Sequence, residues 1–342
     1  MPYPISEAFV GEAGLAETSI PAVIIPAHNE EQSITALLRA LSPGMQASLY
    51  TVTVACNGCT DRTAAIVRYH FPEVRCIELS QASKVAALNA AERQGAMDAA
   101  AGDRDGGARE SENEKESGGW QAGYPRIYID ADVVINTSAV VSLIAACRQA
   151  SQPVVVAPRA VPITDGCAWI VRAYYRAWQK TVFFQQQGFG SGVYGLNRAA
   201  RDKFDRFPNL ISDDGFVRQR LAYQNILVVE SAKSLVQSPR DLAGLIRIKT
   251  RSKLGCLEMN PRFPLPAAPA SPAASASAIS PLSASATSEG ATASRRFVEP
   301  PTLTEWLVYG AINLLALVNA HRLLRRHGSA RWLRDDSSRR ST

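Results

Sequence analysis

Asp130 and Asp132 stand one residue apart at the end of a run of β-formers, Ile127, Tyr128 and Ile129. Residues two apart on a strand point to the same side. Both carboxylates are therefore expected to face one ligand where the strand ends. A pair of hard oxygen ligands suits Mg2+ or Mn2+, which are held by one or two carboxylates together with substrate phosphates. A lone D-x-D is more often a polar turn after a buried strand, so its surroundings must decide.

The chain has 342 residues, enough for one large domain or two modest ones. At 46% hydrophobic and 20% charged it can build an ordinary globular core. Much of the net charge of +6 sits after Arg295, leaving the body close to neutral. That argues against a general nucleic-acid binder and points to a nucleoside diphosphate or an anionic membrane surface. Six cysteines scattered along a long chain do not read as a disulfide framework. Cys56 and Cys59 have C-x-x-C spacing, but no second pair or histidine cluster accompanies them. Neither zinc nor redox chemistry is expected there. Glu7, Glu12 and Glu17 occupy the start, with no basic stretch leading into an apolar one. No secretion signal is expected, and a cytoplasmic location is.

The elements that position the carboxylates follow a repeating order. Residues 1–18 read as a loose tail. Val23-Ile24-Ile25-Pro26 is a continuous apolar run, as for a buried parallel strand, and ends in Ala27-His28-Asn29-Glu30. A helix follows with Ile34, Leu37, Leu38 and Leu41 on one face. Strand Tyr50–Ala55 runs into Cys56-Asn57-Gly58-Cys59-Thr60-Asp61, and a strand around Val74–Leu79 leads to a helix from Lys84 to Ala91. After the D-x-D come a helix over Ser138–Cys147, a strand over Val154–Ala157 and an amphipathic helix from Trp169 to Phe184. A glycine-rich loop, Gly188–Gly192, then Ser212-Asp213-Asp214, a helix through Leu221 and a strand over Ile226–Glu230 complete the series. Strand, polar loop and helix in alternation predict a doubly wound α/β sheet with helices on both faces. Ligands in such sheets bind outside the carboxyl ends of the strands, where the loops after Pro26, Ala55 and Ile129 should converge.

Three stretches break the pattern. Residues 98–123 offer almost nothing to bury and read as a disordered insertion in a catalytic domain spanning 19–262. Residues 263–297 are nearly all Ala, Ser and Pro, a flexible linker. Within 298–342, the apolar run Leu303–Ala320 is interrupted by Glu305, Asn313 and Asn319 and followed by Arg322, Arg325, Arg326, Arg331 and Arg334. That pattern predicts a helix lying in the interface of an anionic membrane, with packing onto the catalytic domain as the alternative.

With these loops in place, the chain from about Ile20 to Gly255 resembles family 2 glycosyltransferases of the GT-A fold. Val23-Ile24-Ile25-Pro26-Ala27-His28-Asn29-Glu30 matches the family's opening strand and nucleotide loop. The resemblance implies donor contacts from Pro26, His28 and Glu30. Cys56-Asn57-Gly58-Cys59-Thr60-Asp61 matches D-D-G-S-x-D with both leading aspartates replaced. Asn57 then stands where the family contacts a uracil ring, and Asp61 keeps its place in the donor loop. Lys84-Val-Ala-Ala-Leu88-Asn89 matches K-x-x-A-L-N, with Ser83 for the usual glycine, and implies a cation near the donor phosphates. Asp130-Ala131-Asp132 matches the metal-binding motif: Asp132 is implied as direct ligand, and Asp130 as a metal or sugar contact. Asp213-Asp214 falls at the family's E-D, implying Asp214 as catalytic base with Asp213 beside it. Arg251 to Gly255 sits at R-W-x-x-G, with Ser252 for the tryptophan that stacks on a growing glycan.

The implied reaction is inverting transfer of a sugar, from a nucleoside-diphosphate donor (a UDP-sugar first) to an acceptor hydroxyl. A divalent metal would balance the leaving diphosphate, with Lys84 and Arg251 adding positive charge. Asp214 would take the acceptor's proton. The missing tryptophan implies one addition rather than processive synthesis. Implied partners are a glycan or lipid-linked acceptor in cell-surface polysaccharide or glycolipid synthesis, a membrane surface, and no nucleic acid. Two other readings remain open here: a sugar-nucleotide-binding scaffold with weakened turnover, and a sugar nucleotidyltransferase.

Overall fold

Six consecutive buried residues, Ala22–Ala27, form strand β1 in the interior of the sheet. The computed structural model describes residues 19–92, 123–186, 192–221, 225–262 and 300–327. The tail 1–18, the insertion 98–123 (except Gly123), the linker 263–297, Gly188–Ser191, Arg331 and Arg334 lie outside the described residues.

An all-apolar strand must be covered on both faces, and its neighbours run parallel to it. β1 pairs with β2 (Thr51–Asn57), Val23 facing Val52 and Pro26 facing Ala55, and with β4 (Arg126–Ile129), Val23 facing Ile127. β2 pairs in parallel with β3 (Arg75–Leu79). Beyond β4 the direction changes: β6 (Val193–Leu196) is antiparallel to β4, and β5 (Val155–Ile163) is antiparallel to β6. With β7 (Ile226–Gln237) the sheet has seven strands in the order β3-β2-β1-β4-β6-β5-β7. This is the mixed, doubly wound arrangement expected.

Helices α1 (Ile34–Gln46), α2 (Thr63–His70), α3 (Lys84–Glu92) and α4 (Thr137–Gln149) connect the first strands. Ile34, Leu37, Leu38 and Leu41 of α1 are buried against Val23, Ile25, Val52 and Val54, as their spacing foretold. Full burial of one such side chain contributes about 1.5–3 kcal/mol. Asn136 caps α4, its Oδ1 accepting from the Ala139 amide at 2.9 Å.

Two expectations give way. The helix expected over Trp169–Phe184 is broken into α5 (Trp169–Trp178) and α6 (Val182–Gln186). Thr181 makes the break: its hydroxyl donates to Trp178 O at 2.7 Å and accepts from the Phe184 amide at 3.2 Å. A threonine hydroxyl competing for backbone groups ends one helix and caps the next. β7 also runs on past Glu230 to Gln237, because Ala232 and Ser234 are small enough to be buried in an otherwise polar segment.

The chain divides into two compact units. One comprises Met1–Arg159, Gly192–Arg206 and Val229–Ser234; the other comprises Ala160–Ser191, Phe207–Val228 and Leu235–Thr342. Short α7 (Arg198–Arg201) belongs to the first and α8 (Asp213–Leu221) to the second. In the second, α9 (Leu242–Arg262) and α10 (Leu303–His327) pack with α5 around Val171, Tyr174, Tyr175, Leu245 and Ile312. Tyr174 stacks on Tyr309 with ring centroids 5.0 Å apart, and Arg176 pairs with Glu305 at 2.9 Å. As α5 advances α10 recedes, so the two helices are antiparallel.

Two of the three polar residues that seemed to interrupt the apolar run of α10 are explained by this packing. Glu305 closes a capping box with Thr302: its carboxylate accepts from the Thr302 amide at 2.8 Å, and Thr302 Oγ1 accepts from the Glu305 amide at 3.3 Å. Asn313 donates to Tyr309 O at 2.8 Å and to the Tyr174 hydroxyl at 3.4 Å. The buried stripe of α10 is Glu305, Ile312, Ala316 and Ala320, while Leu303, Leu307 and Leu314 are exposed by 75%, 64% and 64%. α10 is long and apolar enough to cross a membrane by length and composition, with mean hydropathy 1.4 over its apolar part.

Candidate active site

In the first unit, the loops after β1 and β2 are laced together by side chains from each other's turns. Asn29 takes a left-handed conformation (φ 53°), and its Oδ1 accepts from the Thr60 amide at 2.7 Å. The Glu30 amide donates to Thr63 Oγ1 at 2.7 Å, and the Ser33 hydroxyl donates to the Glu30 carboxylate at 2.7 Å. Both oxygens of Asp61 are engaged: one accepts from the Glu31 amide at 3.1 Å, the other from the amide and hydroxyl of Thr63. Asp61 thus clamps the loop and holds the first amide of α2. His28 Nδ1 lies 2.6 Å from Asn57 O, so the proton belongs on Nδ1. Pro26 is buried at the end of β1 beside Ala55.

Asn57 is 1% exposed and turned inward. Its Nδ2 donates to Ala27 O at 2.9 Å and to Ala55 O at 3.4 Å. A flipped amide would set oxygen against two carbonyls, so this orientation is forced. Its Oδ1 has no hydrogen-bond partner among the described residues. The base contact expected of Asn57 is thus sealed behind the loop that this side chain holds.

The β2 loop also touches the start of α3. Gly58 has φ 57°, and a Cβ there would lie 2.7 Å from the Ala82 nitrogen. Only glycine permits that approach. Ser83 caps α3, its Oγ accepting from the Ala86 amide at 3.2 Å, which accounts for serine in place of the expected glycine. Lys84 then reaches across to Asp130: Nζ and Oδ1 are 2.7 Å apart, with side chains 21% and 35% exposed.

Asp130 and Asp132 are not on a strand. β4 ends at Ile129, and the Val133 amide donates to Asp130 O at 3.1 Å, closing a turn. The alternation persists, with Ala131 and Val133 buried and Asp132 exposed. Gly192 bounds the turn: its carbonyl accepts from the Asp130 amide at 2.7 Å, and a Cβ there would lie 2.7 Å from Val133 Cγ2. Among the described residues no three His, Cys, Asp or Glu side chains gather to hold a metal. Asp130 and Asp132 would therefore supply only part of a coordination shell, which suits a hard cation that shares its other ligands with phosphate and water.

Asp213, Asp214 and Arg251 belong to the second unit. Asp213 is buried at the start of α8, 4% exposed. The Ser212 hydroxyl donates to Asp214 Oδ1 at 2.5 Å and accepts from the Gly215 amide at 3.1 Å, while that amide also donates to Oδ1 at 2.7 Å. Asp214 is half-buried, and among the described residues no hydrogen bond occupies its Oδ2. A carboxylate held by one oxygen and open at the other can accept a proton. Arg251 lies within α9 rather than in a loop, one turn before Gly255, whose Cβ position lies 3.0 Å from Ser212 Cβ. Ser212 and Glu258, which accepts from the Ile211 amide at 3.2 Å, were not expected to shape this site. For Ser212 the signal was present: serine just before a helix that opens with two aspartates.

The sequence model of Glycosyl transferase family 2 matches residues 22–98. Over those residues the chain is similar to family 2 glycosyltransferases. That segment contains the two laced loops and Lys84. No curated protein matches the sequence. Among solved structures, the chain is similar in fold to a mannosyltransferase from Pyrobaculum calidifontis in complex with GDP-Man and Mn2+. The identity is 16% and the TM-score 0.51, over 92% of this chain and 76% of the other. Glucosyl-3-phosphoglycerate synthase from Mycobacterium tuberculosis, in complex with phosphoglyceric acid, matches at 17% identity and a TM-score of 0.48. The match covers 73% of this chain and 81% of that one. The mixed seven-stranded sheet is that of the GT-A glycosyltransferases.

Proposed function

We propose that this chain is a glycosyltransferase that moves one sugar per encounter from a nucleoside-diphosphate donor to an acceptor hydroxyl, inverting the anomeric carbon. The observation that carries this reading is the pairing of Lys84 with Asp130 beside the loops of the family 2 segment. A cation and a carboxylate held together there suit a donor diphosphate and a divalent metal. The mannosyltransferase complex with GDP-Man and Mn2+ supports a nucleoside diphosphate and a metal without choosing the base. UDP remains the first donor to test.

Asp132, with Asp130, would hold Mg2+ or Mn2+, which when bound would balance charge on the departing diphosphate. Lys84 steadies Asp130 and offers its ammonium to the donor phosphates. Asp214 accepts the acceptor's proton through Oδ2, while Ser212 holds the other oxygen. Arg251 is a further candidate for phosphate contact.

The exposed apolar face of α10, with Arg322 and Arg325 exposed beyond it, supports docking on the anionic inner face of the cytoplasmic membrane. Such docking would bring a lipid-linked or membrane-proximal acceptor within reach, in cell-surface polysaccharide or glycolipid synthesis.

Thermal-shift titration of the full chain with UDP and GDP, each with Mn2+, tests the donor reading by mass action. A metal-dependent rise in Tm with one of them is expected. If neither shifts the transition with or without metal, the donor reading is wrong.

A further inference from the structure

Three of the six cysteines meet beside the donor loops. Cys56 ends β2, 1% exposed, with its Sγ 4.0 Å from Cys76 Sγ on β3. Cys59, three residues on, is half-buried; it packs against the same apolar cluster as Cys56, and its thiol donates to Ala27 O at 3.5 Å. The same Ala27 carbonyl accepts from Asn57 Nδ2 at 2.9 Å, and Asn57 O faces His28 Nδ1 at 2.6 Å. The thiol of Cys59 therefore shares an acceptor with the side chain that closes the loop.

We propose that Cys59 is a site of reversible thiol modification, with Cys56 as its resolving partner, and that low-molecular-weight disulfides are its co-reactant. This extends the donor reading above and rests on it for its consequence. Cys59 Sγ, as thiolate, attacks one sulfur of the disulfide; that S–S bond breaks and one thiolate leaves. Cys56 then gives its proton to the departing thiolate and attacks Cys59 Sγ. The mixed disulfide breaks, a second thiol is released, and a Cys56–Cys59 bond remains. Two protein thiols are oxidised and one small disulfide is reduced to two thiols.

The division of labour follows from the surroundings. The hydrogen bond from Cys56 pulls the Cys59 thiol down to about 7; the Asn29 backbone and Thr63 help, while burial and the Asp61 carboxylate oppose. Cys56 is pushed well up by the neighbouring sulfurs and by burial. It has a single proton to donate, so only one of the half-buried Cys59 and Cys76 can be the thiolate it stabilises, and Cys59 is the one that the chain can bring into disulfide reach. Strand register rules against a Cys56–Cys76 bond: Cys76 faces Val54, while Cys56 faces Glu78. Two residues of stagger across neighbouring strands put their Cα atoms roughly 8 Å apart, beyond a disulfide's reach. Between Cys56 and Cys59 the chain bends at Gly58, whose φ is 57°.

Closing that bond removes the Cys59 donor from Ala27 O and draws the turn around Asn57, whose carbonyl positions His28. The oxidised protein should bind donor nucleotide more weakly. The test uses the full chain, equilibrated with glutathione disulfide or with dithiothreitol, then peptide mapping and UDP–Mn2+ titration calorimetry. Expected are a mapped Cys56–Cys59 disulfide and a Kd for UDP raised about tenfold or more, reversed by dithiothreitol. Cys56→Ser should stop at a glutathione adduct on Cys59, and in Cys59→Ser any UDP affinity should no longer respond to glutathione disulfide. No Cys56–Cys59 bond, or equal UDP affinity in both redox states, overturns the proposal. Failure of the reduced protein to bind any nucleoside diphosphate would overturn the donor reading instead, while the peptide map still decides the thiol chemistry.

Discussion

Lys84 Nζ lies 2.7 Å from Asp130 Oδ1, joining the first turn of α3 to the turn after β4. Neither charge is deeply buried, so the pair contributes little to stability by itself. Its value is positional. Lys84→Gln is expected to weaken nucleoside-diphosphate binding about tenfold or more while leaving Tm nearly unchanged. Titration calorimetry and a melting curve on the same preparation check both halves.

Asp132→Ala should abolish the metal-dependent part of donor binding, because Asp132 is the exposed carboxylate of its turn. Unchanged UDP affinity in Mn2+ would sink its assignment.

Asp214→Asn should retain donor affinity and lose about 10²–10⁴ in kcat, since the amide cannot take a proton. Ser212→Ala should fall between, because it removes the hydroxyl on Asp214 Oδ1 without touching Oδ2. Initial-rate kinetics that separate kcat from donor KM decide; near wild-type turnover in Asp214→Asn would transfer the role elsewhere, first to Asp213.

Glu92 is buried between Arg126 at 3.0 Å and Arg201 at 2.8 Å, and the Tyr128 hydroxyl donates to it. Burial alone would raise its carboxyl, but the hydrogen bonds and charges of the two guanidinium groups pull it below the ordinary range. A depressed carboxyl stabilises the fold fully above the ordinary carboxylate range, and that contribution is lost as pH falls through the depressed value. Glu92→Gln should cost about 3–5 kcal/mol at neutral pH, with the gap to wild type shrinking in acid. Urea denaturation across pH measures it.

The outward face of α10 should hold the chain on anionic vesicles. Leu307 and Leu314 are exposed, and each basic residue near such a surface contributes about 1 kcal/mol. Full-length protein should co-sediment with anionic liposomes at low salt, and a Leu307→Glu, Leu314→Glu double substitution should leave it in the supernatant. If the wild-type chain also stays in the supernatant, α10 is only a packing element.

What could be read from sequence was local. The apolar run of β1, the α1 face and the order of the polar loops depend on residues close in the chain, and they stand where expected. The inward turn of Asn57 and the clamp by Asp61 depend on partners some thirty residues away, Ala27 and Glu31. Spacing within one loop carries no trace of them. Glu305 and Asn313 looked like flaws in an apolar helix because a linear pattern cannot show that Thr302 and Tyr174 receive them.

Glu92 closes α3, and Arg126, its partner, opens β4. The chain therefore leaves at Glu92 and returns at Gly123 beside the amino edge of the parallel strands, whereas Asn29, Asn57 and Asp130 follow their carboxyl ends. An ion pair bolts the departure to the return. The segment between them is thus a natural graft point: a fluorescent protein or an affinity handle spliced there would hang from the far side of the donor loops. The reporter could test the proposed membrane docking while leaving the loops after β1 and β2 clear.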